Sequence, residues 1–423
     1  MPMTQSPRRL LKVPLAGWIV IGLAIGALVG LALPAPGTAP WSDAVVASAG
    51  VVARLWLAAL QMTILPLVFA LLSTAFVRSA GLADSEGVAR RAIVTLLALY
   101  LLAIVIGLVF TPILLALSPV TPEIASAMRS VSGTPVEVTH LPVTDMILGM
   151  VPTNIVSAAA SGSLLPVVVF ALVFGAALAR IGSERSAGLV AVLEGLGATM
   201  FLIVGWVIAL APFGVAGFIL VATNAAGATL LWGIGHYVLL YTVLIVVLTG
   251  SAYLVAVLAG RAPLGPFARA MLPVQVVAFS TRSSLACLPL GIAAARRIGV
   301  RETAADVAMP LFVALMRTSS STSAIFYGAY GAIVYGLPHG VALLFAAGLL
   351  KTLMEIGSVG IPAQATLVAT AAPALAVMHI PPEFLALVIV AETVPDMFKT
   401  VCNITMDVAA ATVIDRDRAL HPG

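Results

Sequence analysis

Charged residues are what this chain has least of. They make up 9% of its 423 residues, against about 25% in an ordinary soluble domain, which excludes a water-exposed globular protein. Cysteine is nearly absent. Cys287 and Cys402 both lie in apolar surroundings, so a disulfide framework is excluded and both read as small core residues. The five histidines are scattered, with no metal-ligand spacing and no nucleophile motif nearby. An enzyme, a metal centre and a bound cofactor are therefore not expected. The net charge of +4 and pI of 9.3 do not imply a nucleic-acid partner, because basic residues in such a chain mark cytoplasmic loops.

What is abundant is apolar surface: 61% of residues are hydrophobic and mean hydropathy is +1.15. Apolar runs long enough to span a bilayer recur along the chain, so the expected fold class is an all-α polytopic membrane protein. A porin-type barrel would give a weaker, alternating signal. The basic N-terminus with Arg8, Arg9 and Lys12, followed by an apolar stretch from Pro14, reads as an uncleaved first helix rather than a signal peptide. The expected spans are 14–34, 45–77, 91–118, 144–180, 187–221 and 227–259, then a less regular half of 264–297, 303–337, 339–380 and 382–415. Placing most of the 21 Lys and Arg residues in the cytoplasm requires 264–297 to enter and leave on one side, with Arg282 near its tip. The same rule makes 339–380 a hairpin from the other face, turning through Gly357-Ser-Val-Gly-Ile-Pro362. The expectation is eight transmembrane helices plus two opposed re-entrant hairpins, arranged as inverted repeats, with both termini cytoplasmic.

Polar side chains interrupt the apolar background in three places. Residues 280–284 read Ser-Thr-Arg-Ser-Ser, Thr318–Ser323 is a run of hydroxyls directly after Arg317, and Asp396, Lys399, Asn403 and Asp407 break up the last segment. An ionised group at mid-bilayer costs roughly 2.5–3.5 kcal/mol on insertion scales, so a cluster of them marks a solute pathway. At 100° per residue, Asp396, Lys399, Thr400, Asn403 and Asp407 lie within about 60° of one helical line, and Glu392 extends it. The hydroxyl run is poor helix material, and unwinding is expected there. The hairpin tips would bring helix N-termini to mid-membrane, where they attract carboxylates, with Arg282 as a cation beside them. These features point to a transporter. An uncoupled anion channel and a transport-inactive sensor or scaffold are the alternatives.

Three motifs carry a resemblance. Thr281-Arg-Ser-Ser-Leu-Ala-Cys-Leu-Pro289 resembles the serine-rich first hairpin of the glutamate transporter homologue family, the dicarboxylate/amino acid:cation symporters. Gly357–Pro362 is similar to that family's second-hairpin Gly-x-x-Gly-Val-Pro. Asp396-Met-Phe-Lys-Thr-Val-Cys-Asn-Ile-Thr-Met-Asp407 resembles its last-helix motif without a gap.

The resemblance implies a homotrimer in a bacterial-type inner membrane, with lipid around it and an elevator mechanism. Residues 1–260 would be mostly scaffold, except that the third and sixth helices (about 91–118 and 227–259) would join a transport domain whose core is 261–423. By position, Asp396 would bind a substrate ammonium, Lys399 would replace the arginine that binds an acidic side chain, and Asn403 would hold the α-carboxylate together with backbone N–H groups near Ser283 and Ser284. Arg282 and Thr400 would also contact substrate, and Gly357, Gly360, Ile361 and Pro362 would form the gate.

The resemblance also shows departures. Where the family's seventh helix carries Asn-Met-Asp-Gly-Thr for sodium, this chain reads Met316-Arg317-Thr318-Ser319-Ser320, and Leu99 and Tyr100 stand where a third-helix hydroxyl pair completes a sodium site. Only Asn403 and Asp407 of the sodium ligands are retained. One negative charge is lost at Thr318 and one positive charge gained at Arg317, which matches the charge of two sodium ions. An arginine cannot deprotonate, so the expectation is that Arg317 pairs with Asp407 and stands in for sodium. Transport would then be proton-coupled or facilitative, with protonation on Glu392, Asp396 or Asp407. The expected substrates are small anions, acidic amino acids first and C4-dicarboxylates second.

Overall fold

The structure is a computed structural model, and it describes residues 15–83, 88–130, 151–161, 164–357 and 363–415. The described residues are helical with short connections and form no strand. In chain order the helices are α1 (Leu15–Ala32), α2 (Pro40–Ala83), α3 (Val88–Leu117), α4 (Pro122–Arg129), α5 (Ile155–Ala160), α6 (Leu164–Arg180), α7 (Ser183–Ala209), α8 (Ala211–Ala226), α9 (Ala228–Leu254), α10 (Leu264–Thr281), α11 (Ser284–Arg297), α12 (Glu302–Leu315), α13 (Thr318–Tyr335), α14 (Val341–Gly357), α15 (Ala363–Val377), α16 (Phe384–Ala391) and α17 (Thr393–Ile414). A π-helical turn, Val255–Ala259, extends α9. Among the described residues, five helical stretches are long and apolar enough to cross a membrane: Pro40–Thr74, Arg91–Leu117, Ser183–Ala209, Ala228–Ala259 and Pro395–Ile414.

Several expected spans are divided, and proline is a recurrent reason. Pro212, at the start of α8, has no N–H for the ladder, so the expected 187–221 becomes α7 and α8, hinged at Leu210. The Trp56 indole donates to Val207 O at 3.0 Å beside this hinge. Gly227, at φ 64° and ψ −151°, then turns the chain into α9, a conformation open essentially to glycine alone. Pro395 similarly offsets α16 from α17, with Glu392 at the junction. Of the expected 144–180, residues 144–150 and 162–163 lie outside the described residues.

In the N-terminal half, α1 packs on α8 and α2 packs on α6, α7 and α8. The α1–α8 contact rests on Gly22, Gly26 and Gly30, spaced four apart. A Cβ at Gly22 or Gly26 would fall 2.3 Å from Pro212 O or 2.4 Å from Ala216 O. Such small-residue spacing lets two membrane helices approach backbone to backbone.

In the C-terminal half, α13 is the axis. Nearly every one of its residues is buried, and it packs against α3, α14 and α17, while α9 lies along α17. Tyr237, Tyr241, Phe326 and Tyr330 interlock between α9 and α13, with Tyr241 and Phe326 stacked at 5.1 Å between centroids.

One helical pair turns back on itself. α10 and α11 pack together and turn at Arg282–Ser283, with Arg282 left-handed at φ 54° and the Ser283 hydroxyl accepting from Ala286 N–H at 3.3 Å to cap α11. α14 and α15 also pack together. Their connection lies outside the described residues, so of the expected gate residues only Gly357, the end of α14, is placed, and Gly360, Ile361 and Pro362 are not.

The expectation of an unwound hydroxyl run is corrected. The break in 303–337 falls one step earlier, at Met316–Arg317, whose backbones are non-helical, and Thr318–Ser323 form the first turns of α13. The run stays helical because several of its hydroxyls have found tertiary or back-bonded oxygens. Thr322 Oγ1 donates to Ala103 O at 2.8 Å, Ser321 Oγ pairs with Thr352 Oγ1 at 2.6 Å, and Ser323 Oγ donates to Ser319 O at 2.6 Å. The Thr322 and Ser321 hydroxyls are thereby directed to neighbouring helices, and that of Ser323 back-bonds within its own helix without breaking it.

Candidate functional site

Two of the backbone groups freed at the Met316–Arg317 break are met by one side chain. The Tyr100 hydroxyl, on α3, donates to Leu315 O at 2.8 Å and accepts from Arg317 N–H at 2.9 Å. Tyr100 is 2% exposed. It stitches the two half-helices together and fixes where the Arg317 side chain departs.

That side chain enters a cavity of about 350 Å³ formed where the α10–α11 turn, the α12–α13 break, α14, the start of α15 and α17 converge. Ile19 of α1 and Ile208 of α7 close its apolar side. Four cationic side chains line it, Arg282, Arg317, Lys351 and Lys399, and three anionic ones, Glu355, Glu392 and Asp396. Formal charge on the wall is therefore +1.

The charges are paired, both within helices and across elements. Arg282 Nε and Nη2 both donate to Asp396 Oδ2, at 2.9 and 2.6 Å, linking the first turn to the last helix. Lys399 donates to Glu392 Oε1 along α17. Arg317 Nη1 lies 3.4 Å from Glu355 Oε2, and Lys351 Nζ lies 3.5 Å from Glu355 Oε1. A buried ion pair is tolerated only where each charge has a partner, and the membrane interior makes that demand strict.

Most of the site residues expected from sequence come together here. Arg282, Ser283, Ser284, Arg317, Ser320, Glu392, Asp396, Lys399, Thr400 and Asn403 all line the cavity. Asn403 Oδ1 accepts Ser319 N–H at 3.1 Å, which leaves its NH₂ group for the cavity, while Thr400 Oγ1 donates back to Asp396 O at 2.9 Å. Thr318, Ser319 and Asp407 are buried behind the wall, and the Thr318 and Ser319 hydroxyls and both Asp407 carboxylate oxygens have no hydrogen-bond partner among the described residues.

The expected Arg317–Asp407 pair is corrected. From its non-helical backbone at the break, Arg317 reaches α14 and pairs with Glu355, while the Asp407 carboxylate on α17 has no hydrogen-bond partner among the described residues. Sequence reasoning missed Lys351 and Glu355. The signal was present: two opposite charges spaced i, i+4 inside an apolar segment share one helix face. It also missed the role of Tyr100, whose partners are more than 200 residues away in the chain. Among the described residues no three His, Cys, Asp or Glu side chains converge as a metal site.

Apolar helices around a buried, charged cavity, with broken and turned-back helices meeting at it, define a membrane carrier. Residues 15–417 match the profile of the sodium:dicarboxylate symporter family, and the chain belongs to that family. It is a multi-pass secondary transporter and not an enzyme. Similar proteins include the proton/sodium-glutamate symport protein of Bacillus subtilis (strain 168), 27% identical over 96% of this chain and 93% of that protein. C4-dicarboxylate transport protein 1 of Pseudomonas paraeruginosa is 25% identical over 94% and 88%. The serine/threonine transporter of Streptococcus thermophilus is 23% identical over 95% of each.

Proposed function

We propose that the chain carries small anionic solutes across a bacterial-type inner membrane, acidic amino acids first and C4-dicarboxylates second, without sodium. The observation that carries this reading is the wall charge of +1. A solute with two carboxylates and one ammonium carries −1 and neutralises the wall alone. A dicarboxylate dianion leaves −1, which a co-transported proton would balance. Relatives named for glutamate and for C4-dicarboxylates fit the same ranking. Asp396 is the group for the substrate ammonium, which would take its Oδ1 while Arg282 keeps Oδ2. Lys399, Thr400, Asn403 and the N-terminal end of α11 at Ser283 and Ser284 complete the contacts.

Sodium independence rests on Arg317. It places a permanent cation at the break where the family motif carries an aspartate one residue on, now Thr318, and it keeps that role with Glu355 as its partner. Movement is assigned to an elevator in which 261–423, with α3 and α9, travels against the remaining N-terminal helices in a homotrimer set in lipid. The packing of α3 on α13 and of α9 on α17 supports that division. Eight membrane crossings, two re-entrant hairpins with the second gating at Gly357–Pro362, and cytoplasmic termini complete the reading.

The test is uptake of labelled L-aspartate and succinate into proteoliposomes at clamped membrane potential. Uptake of both is expected to be indifferent to a sodium gradient, and that of succinate to rise with an inward proton gradient. A sodium gradient that drives accumulation at fixed potential refutes the proposal.

A further inference from the structure

We propose that the guanidinium of Arg317, and not Lys399, is the anchor for the side-chain carboxylate of the transported acidic amino acid. The inference rests on the anionic-substrate reading above and adds the identity of the binding group.

Each cation in the cavity wall has its own partners. Arg282 makes two bonds, at 2.9 and 2.6 Å, to Asp396, within the range of charge-assisted hydrogen bonds. Lys399 is held by Glu392 in close contact. Lys351 is 1% exposed and is turned onto Thr370 Oγ1 and Glu355. Glu355 is therefore shared between two cations, at 3.4 and 3.5 Å, both longer than the ~2.7–2.9 Å of a committed charged pair. The unmatched positive charge of the wall belongs to this triad.

Within the triad Arg317 is the member open to the cavity, its side chain 25% exposed against 1% for Lys351. Its planar fork suits bidentate capture of a carboxylate, which an ammonium cannot match. Asn403 lines the same cavity, and its NH₂ group is a donor for an anion. The Tyr100 hydroxyl on the Arg317 N–H holds the backbone from which the fork projects, so the anchor is positioned before a ligand arrives. The ligand class is a carboxylate-bearing solute of net charge −1.

Isothermal titration of the purified full-length protein with L-aspartate and with L-asparagine, its uncharged-side-chain analogue, tests this. The wild type is expected to prefer L-aspartate. Arg317→Gln is expected to weaken L-aspartate at least tenfold and to remove the preference. That ratio does not depend on the folded fraction of the sample. Glu355 keeps Lys351 as its partner in this variant. If Arg317→Gln is not recovered monodisperse, Arg317→Lys serves, with the charge kept and the fork lost. It is expected to weaken L-aspartate at least threefold and leave L-asparagine unchanged. Wild-type L-aspartate affinity in the variant used, or equal losses for both ligands, overturns the assignment while the transport reading stands. A wild type that binds none of L-aspartate, L-glutamate or succinate overturns both.

Discussion

Replacing Tyr100 by phenylalanine isolates the stitch at the helix break. The ring and its packing remain, and only the hydroxyl is lost. That hydroxyl meets two backbone groups, Leu315 O at 2.8 Å and Arg317 N–H at 2.9 Å, where Met316 and Arg317 have left the helical ladder. With Tyr100 only 2% exposed, bulk water does not take over. Each buried backbone group left unmet costs about 1–3 kcal/mol, so Tyr100→Phe is expected to lose about 2–6 kcal/mol. Denaturant titration of the purified protein in mixed micelles measures this, with Tyr253→Phe as the control. The Tyr253 hydroxyl accepts one bond, from Gln275 Nε2 at 2.9 Å in a half-buried setting, and its loss is expected to cost below about 1 kcal/mol. The same variant is expected to weaken L-aspartate binding, because the backbone of Arg317 is no longer held. A Tyr100→Phe protein within about 0.5 kcal/mol of wild type would show that the break is held by something else.

Two further outcomes follow from the packing. Lys351→Met leaves Glu355 with Arg317 at 3.4 Å as its remaining cation, with an expected loss of about 3 kcal/mol; the double variant with Glu355→Leu is expected to cost less than the sum of its singles, read as a coupling energy of at least about 1 kcal/mol in a double-mutant cycle. Gly26→Leu must push α1 off α8, since even a Cβ would lie 2.4 Å from Ala216 O. A loss of about 1–3 kcal/mol and a broadened elution profile are expected, whereas Gly195→Ala, with nothing within 4 Å of its Cβ, should be neutral or stabilising.

The last-helix site was legible because its residues share one face of one helix. Asp396, Lys399, Thr400 and Asn403 reach the cavity wall from spacing alone. Arg282 was legible because a charged residue at a polar turn between apolar helices has few other places to go. Lys351 and Glu355 were overlooked because their segment is otherwise apolar, and an i, i+4 pair resembles local helix support until Arg317 is seen to share its carboxylate. The break at Met316–Arg317 was misplaced by one step, because whether a hydroxyl competes with the helix depends on the acceptors other elements bring to it.

By itself the sequence determined that this chain lives in a membrane, that its second half is irregular, and that polar groups cluster there. These follow from desolvation cost and helical periodicity, which act residue by residue and are visible without a partner. Only the tertiary structure decided which charge neutralises which. Arg282 with Asp396 joins residues 114 apart in the chain, and Arg317 with Glu355 joins residues 38 apart. Coulomb attraction depends on separation in space and on the local dielectric, and neither is written in the order of residues. The same holds for Asp407, whose position on α17 was legible and whose isolation behind the cavity wall was not.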